Sequence, residues 1–139
     1  MARGRLMLLG GPEDDRVIST IRRSLPREKV IDLAGKVDLV TVYAALKRAR
    51  LFIGNDSGAM HLAAAAGCPT IGLFGPSDER LYAPWGEHAR AVRGPRSFEQ
   101  IQAVDPGFGQ ALCHMMDLPV KTVVAAANDL LKATEDRNA

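Results

Sequence analysis

Short apolar runs alternate with segments of helical periodicity along most of this chain, and this alternation limits the folds that it can adopt. Repeated strand–helix units of this kind build a mostly parallel sheet with helices packed on it. The pattern predicts strands over residues 5–10, 30–33, 51–54, 70–74 and 89–92, and helices over residues 13–25, 39–48, 59–66, 97–104 and 120–131. The predicted fold class is α/β, a Rossmann-like open parallel sheet with helices on both faces.

Composition sets limits on function. The 139 residues are 47% apolar and 24% charged, which is typical of one soluble domain. With 18 basic and 16 acidic residues the net charge is only +2, which argues against nucleic acid as a partner. Cys68 and Cys113 are too few for a disulfide framework and lack zinc-site spacing, so we expect reduced thiols in a cytoplasmic protein. The apolar run at residues 6–9 is far shorter than the roughly 18 residues of a transmembrane helix.

The segment GNDSGAMHLAAAAG, residues 54–67, carries the strongest functional signal. It follows the third predicted strand and opens a helix at about Gly58. Ligands of open α/β sheets bind beyond the carboxyl ends of the strands, and a helix N-terminus there offers unpaired N–H groups to an anion. We expect the N–H groups of Ser57, Gly58, Ala59 and Met60 to face that anion, with Gly58 leaving room for a phosphate.

Two polar side chains flank this helix start. Asp56 ends the strand, where its carboxylate either accepts hydrogen bonds from sugar hydroxyls or caps the helix. His61 lies one turn after Ser57, where its ring N–H either donates to a phosphate or substrate oxygen or serves the fold alone. Gly75, in the loop after the fourth strand, either lines the other wall of the crevice or simply forms a turn.

The stretch DSGAMHLAAAAGCPTIGLFGPSD resembles the signature of the bacterial lipopolysaccharide heptosyltransferases, glycosyltransferase family 9. The upstream segments LMLLGGPEDD and DLAGKVDLVTVYAALKRARLFIGND are similar to the family as well. The resemblance covers about residues 6–86, and residues 113–131 weakly resemble the family's terminal helix. It implies the C-terminal, nucleotide-sugar-binding half of a glycosyltransferase of the GT-B fold.

The resemblance also implies a reaction. The family transfers heptose or a related sugar from a nucleotide diphosphate, with ADP-heptose expected, to a lipopolysaccharide core acceptor, with inversion and without a metal or other cofactor. By similarity, Asp56 binds hydroxyls of the donor sugar, while the backbone at residues 57–60 and the side chain of His61 hold the diphosphate.

Four residues nearer the N-terminus receive roles in the same way. The resemblance implies that Asp14 or Asp15 binds the ribose hydroxyls, and that Val37 and Leu39 flank the nucleobase. The structural alternative for Val37 and Leu39 is an ordinary core position at the start of a helix.

The family pattern includes an N-terminal domain that binds the acceptor and supplies the general base. We therefore expect residues 1–139 to be one nucleotide-sugar-binding domain without that partner domain, with no catalytic residue of its own and no activity alone. The expected partners are a nucleotide-sugar donor and, through the other domain, a lipid-linked saccharide. In this chain the face that would contact that domain is uncovered, so self-association through this face is a further alternative. The expected location is the cytoplasm, with peripheral association at the inner face of the bacterial inner membrane open as well.

Other functional classes compete with this interpretation. A receiver-like signalling domain would use Asp56 as phosphoacceptor, with Glu13, Asp14 and Asp15 near a magnesium ion. Such a domain also needs a lysine after its fifth strand, and this sequence does not clearly supply one. A serine hydrolase built on Ser57 and His61 lacks the Gly-x-Ser-x-Gly turn and a third member. A purely structural interaction domain is a further alternative.

Overall fold

The computed structural model describes residues 4–110 and 112–135, and within them five strands and six α-helices. The strands are β1 (Leu6–Leu8), β2 (Val30–Asp32), β3 (Phe52–Asn55), β4 (Thr70–Phe74) and β5 (Ala89–Arg93). The helices are α1 (Asp15–Arg23), α2 (Leu39–Leu46), α3 (Gly58–Ala65), α4 (Glu79–Tyr82), α5 (Phe98–Val104) and α6 (Val120–Ala133). All observed strand pairs are parallel, so the predicted α/β class is confirmed.

The chain forms two compact units that divide between Ala44 and Ala45, within α2. In the first unit β1 pairs with β2, with Leu6 opposite Val30. The side chain of Ile18 on α1 is buried beside Gly10, where an added Cβ would lie 2.7 Å from Ile18 Cδ1. Gly10 therefore allows α1 to pack closely on the chain that leaves β1. That residues 1–139 act as one domain stays a prediction.

The second unit contains a three-stranded sheet in the order β3-β4-β5. Asn55 pairs with Leu73, and Phe74 pairs with Arg93. Because the strands are parallel, their carboxyl ends share one edge of the sheet. The loops that begin at Asp56 and Gly75 therefore leave the sheet side by side.

Helices cover both faces of this sheet. Ile71 on β4 packs in the core with Ala127 and Leu130 of α6. Neighbouring residues of a strand point to opposite faces, and an added Cβ at Gly72 would collide with Met60 Sδ of α3. The sheet thus has α6 on one face and α3 on the other, as predicted.

Several element ends differ from the sequence-based prediction. The first strand has three residues instead of six, and the predicted helix 13–25 is a 3-10 turn (Pro12–Asp14) followed by α1. The turn exists because the Asp14 carboxylate accepts the Gly11 N–H at 3.0 Å, which holds the chain before the helix. Two predicted helix signals are confirmed: Asp38 Oδ1 accepts the Thr41 N–H at 2.8 Å, and Gly67 ends α3 with a φ of 74°.

The longest helix, α6, has 14 residues. Across residues 4–110 and 112–135 there is no helix whose length and apolar character suffice for crossing a bilayer.

Candidate functional site

Helix α3 begins with a cap provided by Ser57. Ser57 has an extended backbone, and its Oγ accepts the Met60 N–H at 3.4 Å. The same N–H donates to the Ser57 carbonyl at 3.1 Å. Asp56 is therefore not the helix cap, and the Met60 amide is occupied, contrary to the expectation that it faces an anion. Met60 instead contributes a fully buried side chain to the core.

The N–H groups of Gly58 and Ala59 lie at the first two positions of the helix, so no carbonyl of the helix itself can accept them. Gly58 is exposed, and a Cβ added there would meet no heavy atom within 4 Å. The start of α3 thus combines two helix-end donors with open space beside them. That combination fits an anion such as a phosphate group.

Asp56 and His61 lie next to each other at this helix start. His61 Nε2 is 3.7 Å from Asp56 Oδ1, a separation too long for a direct hydrogen bond. The Asp56 side chain is 22% exposed and that of His61 47%, so both polar groups remain accessible to a ligand. His61 lies beside Asp56, and Ser57 Oγ serves the cap, so the serine-hydrolase alternative gains no support from the structure.

Gly75 follows β4 at the same sheet edge, and its Cα face is covered by another segment of the chain. It is buried, and an added Cβ would lie 2.5 Å from Met115 Sδ and 3.2 Å from the His114 carbonyl oxygen. Its missing side chain makes room for the segment that precedes α6. The Cα of Gly75 is therefore closed to a ligand, and the expectation that its main chain borders the crevice stays a prediction.

Arg93, which sequence reasoning did not select, holds the loop after β4. Its Nη1 donates to the Gly75 carbonyl at 2.6 Å, its Nη2 donates to the Ser77 carbonyl, and its Nε donates to Glu79 Oε2 at 2.8 Å. The Arg93 side chain is only 11% exposed. Hydrogen bonding from Arg93 lowers the pKa of Glu79 below its ordinary value of 4.5. The available sequence signal was a charged residue at the carboxyl end of a predicted strand.

A buried contact between a histidine and a carboxylate also escaped the sequence analysis. His114 Nε2 lies 2.9 Å from Asp105 Oδ2, with side chains 5% and 2% exposed. Asp105 Oδ1 also accepts the Gln110 N–H at 3.2 Å, and the Phe108 ring meets His114 edge-on at 6.1 Å. The partners are nine residues apart in irregular structure, so no periodicity predicts their contact.

The first unit holds the other residues selected from the sequence. Asp14 and Asp15 are exposed, and Asp14 uses one carboxylate oxygen for the Gly11 N–H. Val37 is 36% exposed and Leu39 is 74% exposed. The alternative that Val37 and Leu39 are core positions is therefore wrong. Their assignment to a nucleobase, like that of the two acids to a ribose, stays a prediction.

A separate pocket lies apart from the first turn of α3. Its volume is 130 Å³, and Cys68, Trp85 and His88 are among the residues that line it. It lies at the amino ends of β4 and β5, the edge opposite Asp56.

Within the part of the chain that the structure describes, no three His, Cys, Asp or Glu side chains are grouped closely enough to hold a metal ion.

Comparison with known sequences finds the same family that the signature at residues 56–78 resembles. A family model described as glycosyltransferase family 9 (heptosyltransferase) matches residues 1–105. Lipopolysaccharide heptosyltransferase 3 of Escherichia coli K12 is 30% identical over 97% of this chain and 40% of its own length. Lipooligosaccharide heptosyltransferase 2 of Haemophilus influenzae is 36% identical over 62% of this chain and 26% of its own length. The chain thus spans about a quarter to two fifths of the length of these relatives.

Solved structures agree with the sequence relatives. A glycosyl transferase family 9 protein from Veillonella parvula matches with a TM-score of 0.78 and 29% identity, over 93% of this chain and 37% of that one. The E. coli ADP-heptose lps heptosyltransferase II matches with a TM-score of 0.74 and 25% identity, over 94% and 37%. These similarities leave the receiver-domain and interaction-domain alternatives unsupported. The chain belongs to glycosyltransferase family 9, the heptosyltransferase family.

Proposed function

We propose that this chain binds the nucleotide-sugar donor of a heptosyltransferase, with the donor diphosphate at the start of α3. The observation that carries the proposal is the open space beside Gly58, next to the N–H groups of Gly58 and Ala59. Asp56 and His61 flank this space with one acceptor group and one potential donor. The relatives in lipopolysaccharide synthesis make ADP-heptose the expected donor and a lipopolysaccharide core saccharide the expected acceptor.

The proposed chemistry follows from where charge develops. As the bond between sugar and diphosphate breaks, negative charge builds on the leaving phosphate oxygen. N–H groups already fixed at a helix end stabilise such charge without having to reorganise. Two amides and the positive end of the α3 dipole therefore favour departure of the nucleoside diphosphate, while Asp56 orients the sugar through its hydroxyls. Inversion at the sugar carbon is part of this proposal.

Other parts of the enzyme complete the proposal. The general base that takes the acceptor proton is proposed to come from a separate acceptor-binding domain, so that residues 1–139 alone bind donor but transfer no sugar. Asp14 or Asp15 is proposed to bind the ribose, with Val37 and Leu39 at the base. Because the acceptor is a lipid-linked saccharide, the proposed location is the cytoplasm or the inner face of the inner membrane.

The proposal is tested by calorimetric titration of the chain with ADP, UDP, GDP and acetyl phosphate, together with the variant Gly58→Val. We expect ADP to bind more tightly than acetyl phosphate, because the diphosphate and nucleoside both find partners. A valine side chain fills the open space before the helix amides. It should weaken ADP binding about tenfold or more, since one hydrogen bond to a charged group contributes about 1.5–3 kcal/mol.

Gly109→Val is the matched control, because an added Cβ at Gly109 also meets no atom within 4 Å but lies far along the chain from α3. Both variants should keep the wild-type thermal midpoint, and only Gly58→Val should lose affinity. If none of the nucleotides binds, or if Gly58→Val binds ADP as the wild type does, the diphosphate does not sit at this helix.

A further inference from the structure

One side chain joins β5 to the loop that borders the proposed diphosphate site. Asp56 follows β3 directly and Gly75 follows β4 directly, and neighbouring parallel strands lie about 4.8 Å apart. The loop over residues 75–77 is therefore next to the start of α3. Arg93, at the end of β5 and opposite Phe74, holds this loop from its other side.

The hold is made through the main chain of the loop. Arg93 Nη1 donates to the Gly75 carbonyl at 2.6 Å, and Nη2 donates to the Ser77 carbonyl. Binding two carbonyls on either side of Pro76 fixes the direction of the loop and not merely its distance from β5. No side chain of the loop takes part in these two bonds, so the loop sequence alone does not predict the restraint.

The bonding requires an arginine in particular. A guanidinium has five N–H donors in a rigid plane, and here three of its nitrogens serve three separate acceptors, Gly75, Ser77 and Glu79. Glu79 balances the charge of a side chain that is only 11% exposed. A lysine keeps the charge but presents one nitrogen, which cannot reproduce this geometry.

We propose that Arg93 is a positioning residue for donor binding, which acts by fixing the Gly75–Ser77 main chain beside the diphosphate site. This inference rests on the proposed function, since Arg93 can position a ligand site only if the adjacent helix start binds a ligand. A loop displaced by about 1 Å alters the shape of the site without unfolding the sheet, and displacements of that size are enough to impair a positioned site.

The test compares Arg93→Lys with the wild type by calorimetric titration with ADP, at a temperature well below the thermal midpoint of both. We expect the ADP dissociation constant to rise about tenfold, the change produced by losing one hydrogen bond to a charged group. In amide NMR spectra, the signals of residues 57–59, 75 and 77–79 should shift, and those of α6 should not.

Arg96→Lys is the matched control, because Arg96 also makes a two-pronged contact, with the Asp117 carboxylate at 2.5 and 3.1 Å, and this contact lies outside the loop. Its ADP dissociation constant should stay within about twofold of the wild type even if its thermal midpoint falls, because a partly exposed ion pair affects the fold only slightly. A lower midpoint for Arg93→Lys with unchanged ADP affinity would show that Arg93 is structural only and would overturn the inference.

Glu79→Gln gives a second variant if Arg93→Lys does not fold. It keeps the size of the side chain but removes the charge that orients the guanidinium toward the Gly75 and Ser77 carbonyls. Both bonds should weaken without being lost, so ADP affinity should fall about threefold. Wild-type affinity in a folded Glu79→Gln would overturn the inference. If the wild type binds no nucleotide, the proposed function fails and the role of Arg93 fails with it, whereas loss of the Arg93 effect alone leaves the proposed function standing.

Discussion

Two glycines near the candidate site have different surroundings. An added Cβ at Gly72 would collide with Met60 Sδ and lie 2.9 Å from Phe74 Cε2, both in the core. At Gly58 the same added atom meets nothing within 4 Å. A side chain at position 72 therefore disturbs packing between β4 and α3, whereas at position 58 the fold leaves room for one. The difference separates a glycine needed by the fold from one suited to a site.

At the residue scale, His61→Ala tests whether the imidazole reaches the diphosphate. We expect ADP binding to weaken by about 1–3 kcal/mol, as measured by calorimetry, because a charge-assisted hydrogen bond is lost. The thermal midpoint should stay close to that of the wild type, since the His61 side chain is half-exposed and lies 3.7 Å from Asp56 without a hydrogen bond.

His88→Ala is the control for this variant. His88 precedes β5, at the sheet edge opposite the start of α3, and its partly exposed ring lies 4.0 Å from Glu87. It should bind ADP as the wild type does. Equal affinity for His61→Ala and the wild type would return His61 to a structural role.

At the element scale, β5 and α4 are joined by the ion pair of Arg93 and Glu79, with Nη2 and Oε2 2.5 Å apart. Helix α4 has only four residues, so its own hydrogen bonds contribute little and its position depends on such contacts. Asp78 caps it by accepting the Arg80 N–H at 3.0 Å and also binds the Arg80 side chain. A short helix held by charged groups should respond to acid more than the apolar core does.

The pH dependence follows from the Glu79 carboxyl. Its pKa is lowered in the folded state, chiefly by the Arg93 hydrogen bond, so the unfolded state binds the proton more tightly. The resulting stabilisation is complete above the ordinary pKa of 4.5 and is lost as the pH falls through the lower folded pKa. Glu79→Gln should therefore lower the free energy of unfolding by about 1 kcal/mol at neutral pH, a value reduced for partial exposure.

Urea unfolding of the wild type and Glu79→Gln at a series of pH values checks this prediction. The difference between the two proteins should be constant from neutral pH down to about pH 5 and should shrink below it, because protonated glutamic acid and glutamine are alike in charge. A difference that is independent of pH would mean that the substitution acts through packing.

At the scale of the whole molecule, the net charge of +2 is too small to attract a diphosphate from a distance. Any affinity must come from groups that meet the phosphate oxygens directly, and the start of α3 offers such groups as main-chain N–H donors. Recognition by amides depends on a folded helix and not on a diffuse basic surface. We therefore expect the nucleotide to bind only the native state.

The proposed use of amides predicts binding that needs no divalent cation. The ADP dissociation constant measured by calorimetry should be the same in excess EDTA and in excess magnesium, after correction for magnesium bound by ADP itself. In both conditions ADP should raise the thermal midpoint, because a ligand that binds only the folded state stabilises it. Loss of binding in EDTA, restored by magnesium, would contradict a site formed by main-chain donors alone.

Local chemistry was enough to predict the elements that position the site. The apolar run at residues 70–74 gave the bounds of β4 without error, and small residues after a strand and turn placed the start of α3 at Gly58. These features depend on residues close in sequence, through strand burial, helix periodicity and the stop at Gly67. These signals placed the cap at Asp56, whereas the structure has it at Ser57; both residue types suit that position, and the backbone angles decide between them.

Contacts between distant residues were settled by the tertiary structure alone. Arg93 donates hydrogen bonds to a loop 16 to 18 residues earlier in the chain, and Met115 covers Gly75. His114 contacts Asp105 within irregular structure. Each partnership depends on how the strands and helices bring remote segments together, which periodicity and capping do not encode. The sequence by itself thus determined the fold class and the helix that opens beside Asp56, while packing decided which charged groups hold the neighbouring loop in place.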